Sequence, residues 1–256
     1  MPEPIVLIGA GKVATRLGMR LQEIGWPVVQ VYSRSIEKAR QLAAALNTES
    51  TTDLFRIKKN AALYLLAVND DALATVASQL HYLGDVFLAH TSGATPATVI
   101  QQWFPRAGVF YPLQTFSLSK MPDFSTIPFC IDAPQPEDFQ LLEKLGKALG
   151  GKTYHINDHQ RAVLHVAAVF VNNFTNHLFQ IGEQLLERES MPFELLHPLI
   201  RETFSKIETS SPLDAQTGPA IRGDHATIER HLAYLASWPD LAAIYKIMTE
   251  HILKQT

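Results

Sequence analysis

Two short stretches bring together residue types that can do chemistry. Gly9-Ala10-Gly11-Lys12-Val13-Ala14 is a GxGxxA turn lying between an apolar run, residues 5–8, and a helical pattern over residues 12–24. In such a turn the first glycine permits a tight reversal and the second lets the backbone approach a pyrophosphate. The small Ala14 allows close helix–strand packing. The free N–H groups and the positive dipole end of the helix then face the phosphates, so the stretch reads as a dinucleotide site.

The second stretch, Ser33-Arg34-Ser35, decides between two dinucleotides. A site for NAD carries Asp or Glu about 20 residues past the turn to bind the ribose 2′-hydroxyl, whereas NADP needs hydroxyls and an arginine around the 2′-phosphate. Here no carboxylate occurs until Glu37. Arg34 is suited to stack on adenine while pairing with phosphate, which favours NADP, although an arginine on a loop can equally be solvated surface. Two later strand ends, Ala67-Val68-Asn69 and Thr91-Ser92-Gly93, point at the same crevice, because ligands of open parallel sheets bind beyond the carboxyl ends of the strands. Asp70 and Asp71 read instead as caps of a helix over residues 72–80.

A third group stands out on a long helical pattern. At 100° per residue, Asn172 lies about 20° to one side of His165 and Asn176 about 20° to the other, forming one polar stripe on an apolar helix. Buried polar side chains need partners. A histidine there could donate a proton to a reduced carbonyl or imine while an asparagine orients the substrate. The competing reading of His165 is a satisfied core histidine. Arg222 in "TGPAIRGDH" (217–225) precedes a helix that Asp224 is placed to cap, a good setting for a carboxylate or phosphate anchor or simply for a solvated arginine on a capped loop. Tyr111-Pro112-Leu113-Gln114-Thr115 could close the cleft, or Tyr111 could be a tyrosine at the edge of the core.

The elements that must position these residues follow from periodicity. Up to residue 156, apolar runs at 5–8, 28–32, 62–68, 86–90, 107–111, 128–131 and 153–156 alternate with helical stretches, the rhythm of βαβ units on a doubly wound, mainly parallel Rossmann sheet. After residue 157 strand signals cease. Residues 158–189 read as one helix roughly 48 Å long. Its first half, "AVLHVAAVFV", is apolar on every side and so is expected to be buried all round, at the centre of an all-α domain and against a second subunit. Helices near 193–209, 225–237 and 239–254 complete that domain. The expected division is a cofactor domain over 1–156 and an all-helical substrate and dimerisation domain over 157–256.

Composition narrows the class of function. The 256 residues are 46% hydrophobic and 18% charged, with a net charge of −3 and no basic run, which argues against nucleic acid as a partner. The single cysteine, Cys130, can form no internal disulfide and fits a reducing compartment. No apolar run approaches the roughly 20 residues of a membrane span, and no His/Asp/Glu cluster has metal-ligand spacing. The expectation is a cytoplasmic protein without membrane or metal partners.

The stretches "GAGKVATRL", "HTSGA", "FYPLQTF", "HVAAVFVNNF" and "TGPAIRGD" span nearly the whole chain. In this order they resemble a bacterial family that joins a Rossmann-like domain to a C-terminal domain of unknown function 2520. That family is related to pyrroline-5-carboxylate reductase, ketopantoate reductase and β-hydroxyacid dehydrogenases. The resemblance implies an NADP-linked oxidoreductase, dimeric through its helical domain, and implies no substrate. β-Hydroxyacid dehydrogenases carry a catalytic lysine just ahead of an Asn-Asn pair. Aligning that pair on Asn172-Asn173 puts Val169 at the lysine position. Two readings follow: a reductase or dehydrogenase of a small anionic carbonyl, imine or hydroxy compound, with His165 as acid, Asn172 and Asn176 as orienters and Arg222 as anchor, or a non-catalytic NADP-binding regulatory protein that has lost the lysine.

Overall fold

A computed structural model describes residues 2–255, and the chain divides into two compact units, Met1–Val169 and Phe170–Thr256. The first runs β1 (Ile5–Ile8), α1 (Lys12–Glu23), β2 (Val28–Tyr32), α2 (Ile36–Ala45), β3 (Glu49–Thr51), β4 (Leu63–Leu66), α3 (Leu73–Leu80), β5 (Leu88–His90), the short α4 (Thr98–Gln101), β6 (Ala107–Pro112), β7 (Pro128–Asp132), α5 (Pro136–Leu149), β8 (Lys152–His155) and α6 (Asp158–Ala168). The strands form one sheet in the order β3-β2-β1-β4-β5-β6-β7-β8. All neighbours are parallel except β6 and β7. The α/β doubly wound sheet is therefore as the alternation predicts, with one strand added: β3 escapes the sequence because Glu49-Ser50-Thr51 has no apolar pattern and exists by pairing with Gln30–Tyr32 at the sheet edge.

The period of two in β1 sorts its side chains between two cores. Ile5 and Leu7 pack with Leu17 and Leu21 of α1 and Leu142 and Leu145 of α5. Val6 and Ile8 face the other way, toward Leu73 and Leu80 of α3 and Ile100 of α4. Helices thus cover both faces, and the strand ends between them are left to carry loops.

Two local expectations are corrected. Asp70 and Asp71 do not cap α3: they lie within a 3₁₀ turn, Asp70–Ala72, that makes no side-chain cap. The backbone bond from Ala72 N–H to Asn69 O meets part of the demand a cap would have served. The run from residue 158 is not a uniform α-helix: a π-helical turn, Val169–Phe174, separates α6 from α7 (Thr175–Arg188). Residues turn through a smaller angle in a π-turn than in an α-turn, so the 100° step behind the His165–Asn172–Asn176 stripe does not hold through it. Within its own chain the apolar start leaves Val163 58%, Phe170 62% and Val171 70% exposed. Asn172 and Asn176 are exposed as well. Apolar composition cannot tell a face meant for the core from one left uncovered within its own chain.

The second unit is helical, with α7 followed by α8 (His197–Thr209), α9 (His225–Tyr234) and α10 (Pro239–Leu253). No helix of the described residues is long and apolar enough to cross a membrane.

Candidate functional site

The carboxyl ends of β2, β1 and β4 border a cleft of about 210 Å³. Its floor is Gly9, Ala10 and Gly11 on one side and Ala67, Val68 and Asn69 on the other, with Ser33, Arg34 and Lys38 at the β2 end. Gly9 has φ 127°, and a β-carbon there would collide with the carbonyl of Ala67. The glycine is demanded by the protein's own backbone, where the turn passes the end of β4. Gly11 is different, because its φ of −82° suits any residue and a β-carbon would meet nothing within 4 Å. Gly11 is the N-cap of α1, a position that favours glycine over alanine, and the open space beside it leaves room for a ligand to approach the turn closely. Lys12 is exposed at the first turn of α1, Val13 is half-buried, and Ala14 is buried against the sheet.

Arg34 and Lys38 are exposed and form no ion pair or side-chain hydrogen bond among the described residues. Lys38 was not singled out from the sequence, although its position four residues after Arg34 on a helix that Ser35 caps would have suggested it. The Ser35 hydroxyl accepts from the Lys38 N–H at 3.3 Å and donates to the Glu37 carboxylate at 2.7 Å. That bond holds the Glu37 carboxyl below its usual range and turns the nearest carboxylate to Ser35. Ser33 Oγ in turn accepts from the Ser35 N–H. Beyond Arg34 the cleft continues into a hollow of about 400 Å³ bounded by Tyr32, Leu54, Asn69, Asp71 and Val76. Two free cations beside a half-apolar hollow suit a phosphorylated ribose and its base.

The next strand ends along the same edge belong to β5 and β6. Thr91 and Ser92 lead out of β5, but the Ser92 hydroxyl is already used: it accepts from the N–H groups of Ala94 and Thr95 at 3.2 and 2.9 Å and so shapes the 92–97 loop. Helix α6 is fastened to that loop. Its start is a capping box of Asn157 and Gln160, the Asp158 carboxylate accepts from the Ala97 N–H at 3.0 Å, and Arg161 donates to Thr95 O at 2.7 Å. One helical turn past Arg161, His165 Nδ1 lies 3.2 Å from the Tyr111 hydroxyl of β6, with Gly93 directly against both rings.

Among the described residues, three buried nitrogens have no hydrogen-bond partner: His90 Nε2 and Nε and Nη1 of Arg161. Burial, with the Arg161 cation as the second cause, pushes the His90 pKa down to about 4. Burial likewise lifts the Cys130 thiol to about 11, so this cysteine is no nucleophile. No group of His, Cys, Asp and Glu among the described residues is arranged to hold a metal ion.

The remaining predicted residues lie in the second unit. Asn172 Nδ2 donates to Asn173 Oδ1 at 3.4 Å, and Arg222 is exposed on the loop before α9. Asp224 caps that helix, accepting from the Thr227 N–H at 3.1 Å.

A doubly wound sheet with a glycine turn at the β1–β4 switch point, followed by a helical unit, defines the Rossmann class of two-part proteins. The chain belongs to the family that joins a Rossmann-like domain, matched over residues 4–113, to the domain of unknown function DUF2520, matched over residues 127–252. A Bacteroides fragilis protein provisionally described as an NADP oxidoreductase is 40% identical, with a TM-score of 0.92 over 99% of this chain and 98% of its own. A protein of Thermotoga maritima shares 20% identity at a TM-score of 0.74, covering 98% of this chain and 97% of its own. At 15% identity, a reductive aminase from Aspergillus terreus solved with NADPH has a TM-score of 0.74 over 100% of this chain and 95% of its own, a likeness of fold. No curated protein matches the chain.

Proposed function

We propose that this protein is an NADP-dependent oxidoreductase that reduces a small, anionic carbonyl or imine compound. The observation that carries the cofactor choice is the pair of cations, Arg34 and Lys38, without ion pairs among the described residues at the β2 end of a cleft that Gly11 leaves open. The description of the Bacteroides relative as an NADP oxidoreductase supports the same choice. When bound, the reduced nicotinamide supplies hydride.

The chain's own residues would do the rest. Gly9–Gly11 and the start of α1 hold the pyrophosphate, while Ser33, Arg34, Ser35 and Lys38 hold the 2′-phosphate. Ala67–Asn69 and Thr91–Gly93 line the path toward β6. His165 would supply the proton to the substrate. The uncovered apolar side chains of α6, the π-turn and α8, Val163, Phe170, Val171 and Leu199 among them, support a homodimer formed through the helical domain. Val169 at the lysine position of β-hydroxyacid dehydrogenases favours a second reading, a protein that binds NADP without turnover.

NADPH oxidation followed by fluorescence over a panel of small oxo acids and cyclic imines tests the reaction. Turnover abolished by His165→Ala is expected. Full turnover in that variant removes His165 from the chemistry, and NADPH binding with no turnover on any compound selects the second reading.

A further inference from the structure

Tyr111 and His165 are joined by more than one hydrogen bond. Their rings meet edge to face with centroids 6.0 Å apart at 66°, while Oη and Nδ1 stand 3.2 Å apart. Gly93 makes the meeting possible, because a β-carbon there would lie 2.5 Å from His165 Nδ1 and 2.7 Å from Tyr111 Cζ. Its backbone is not left-handed, so the missing side chain serves space rather than conformation. His165 Nε2 makes no hydrogen bond among the described residues.

We propose that Tyr111 is a positioning residue for His165: its hydroxyl holds Nδ1 and so presents Nε2 as the nitrogen that delivers a proton to the substrate. The role rests on His165 being the acid of the reaction proposed above. A hydroxyl suits it because it can accept from a protonated Nδ1 and donate to an unprotonated one. A carboxylate partner could only accept and would hold the ring charged. Burial keeps the Tyr111 phenol above its ordinary range, so it stays neutral.

In the step itself the Nε2–H bond of the imidazolium breaks. An O–H or N–H bond forms on the substrate while the adjacent carbon gains hydride from the reduced nicotinamide. The neutral ring left behind keeps its Nδ1–H donated to Tyr111 Oη, and solvent restores the Nε2 proton.

The test is nitrogen NMR on protein labelled at histidine, with the His165 signals assigned from His165→Gln. Tyr111→Phe keeps the ring and removes only the hydroxyl, and Gly93→Ala wedges the two rings apart. Both are expected to move the His165 Nδ1 resonance, and Tyr111→Phe to lower kcat about ten- to a hundredfold with KM within about threefold. A Nδ1 resonance unchanged in both variants overturns the proposal, and so does a moved resonance with kcat unchanged. A moved resonance in a protein that turns over no compound defeats the reductase reading while the hold of Tyr111 on the ring stands.

Discussion

Gly9 faces the carbonyl of Ala67 so closely that no β-carbon fits between them, whereas two residues on Gly11 faces open space. The two glycines of one turn therefore answer to different demands. Gly9→Ala should destabilise the fold by roughly 1–3 kcal/mol, through a left-handed φ and a backbone clash. Gly11→Ala should cost only about 0.5–1 kcal/mol, through a poorer helix N-cap, and weaken NADPH binding. Thermal melting and calorimetric titration separate the two, and equal losses of stability would contradict the division.

Arg34 and Lys38 have no side-chain partner to lose among the described residues. Arg34→Ala should cut NADPH affinity by about ten- to a hundredfold, or about 1.4–2.8 kcal/mol, and leave NADH affinity unchanged. Thermal shifts with each cofactor read this directly. A larger shift with NADH in the unaltered protein would sink the phosphate role of Ser33-Arg34-Ser35.

His90 makes stability depend on pH with a definite sign. Its folded pKa, about 4, lies below the unfolded value, so the unfolded chain takes the proton first. The stability tied to keeping this ring neutral is whole above about pH 6.5 and is lost as pH falls toward 4, a range worth roughly 3 kcal/mol. Urea melts of His90→Gln between pH 7 and 4 should show a shallower decline than the unaltered protein. Parallel declines would assign the acid sensitivity elsewhere.

Arg161 is almost wholly buried, and its Nη2 donates to Asp158 at 2.6 Å. Asp158→Asn strands that cation and should cost roughly 3–5 kcal/mol. Arg161→Met with Asp158→Asn should recover part of the loss, since two of the arginine nitrogens have no hydrogen-bond partner. Chemical denaturation of the three variants provides the comparison, and a double variant no better than Asp158→Asn would rule out the stranded charge as the cause.

Much of this protein is legible in neighbouring residues. The GxGxxA turn, the period-two strands and the Asp224 cap can all be read because a φ angle, a pleat or a cap is decided within a few positions of itself. The same locality explains the misses. Glu49–Thr51 is a strand only because β2 lies beside it, and the π-turn at Val169–Phe174 leaves no mark on a 3.6-residue pattern.

The site divides along the same line. Residue types alone mark Gly9, Gly11, Arg34 and His165 as chemically able. That Tyr111 meets a histidine 54 residues away, that Gly93 is the space between them, and that Lys38 joins Arg34 at one cleft were decided by tertiary structure. Strand order and the fastening of α6 to the 92–97 loop set those distances, and contacts between residues remote in the chain leave no spacing to read.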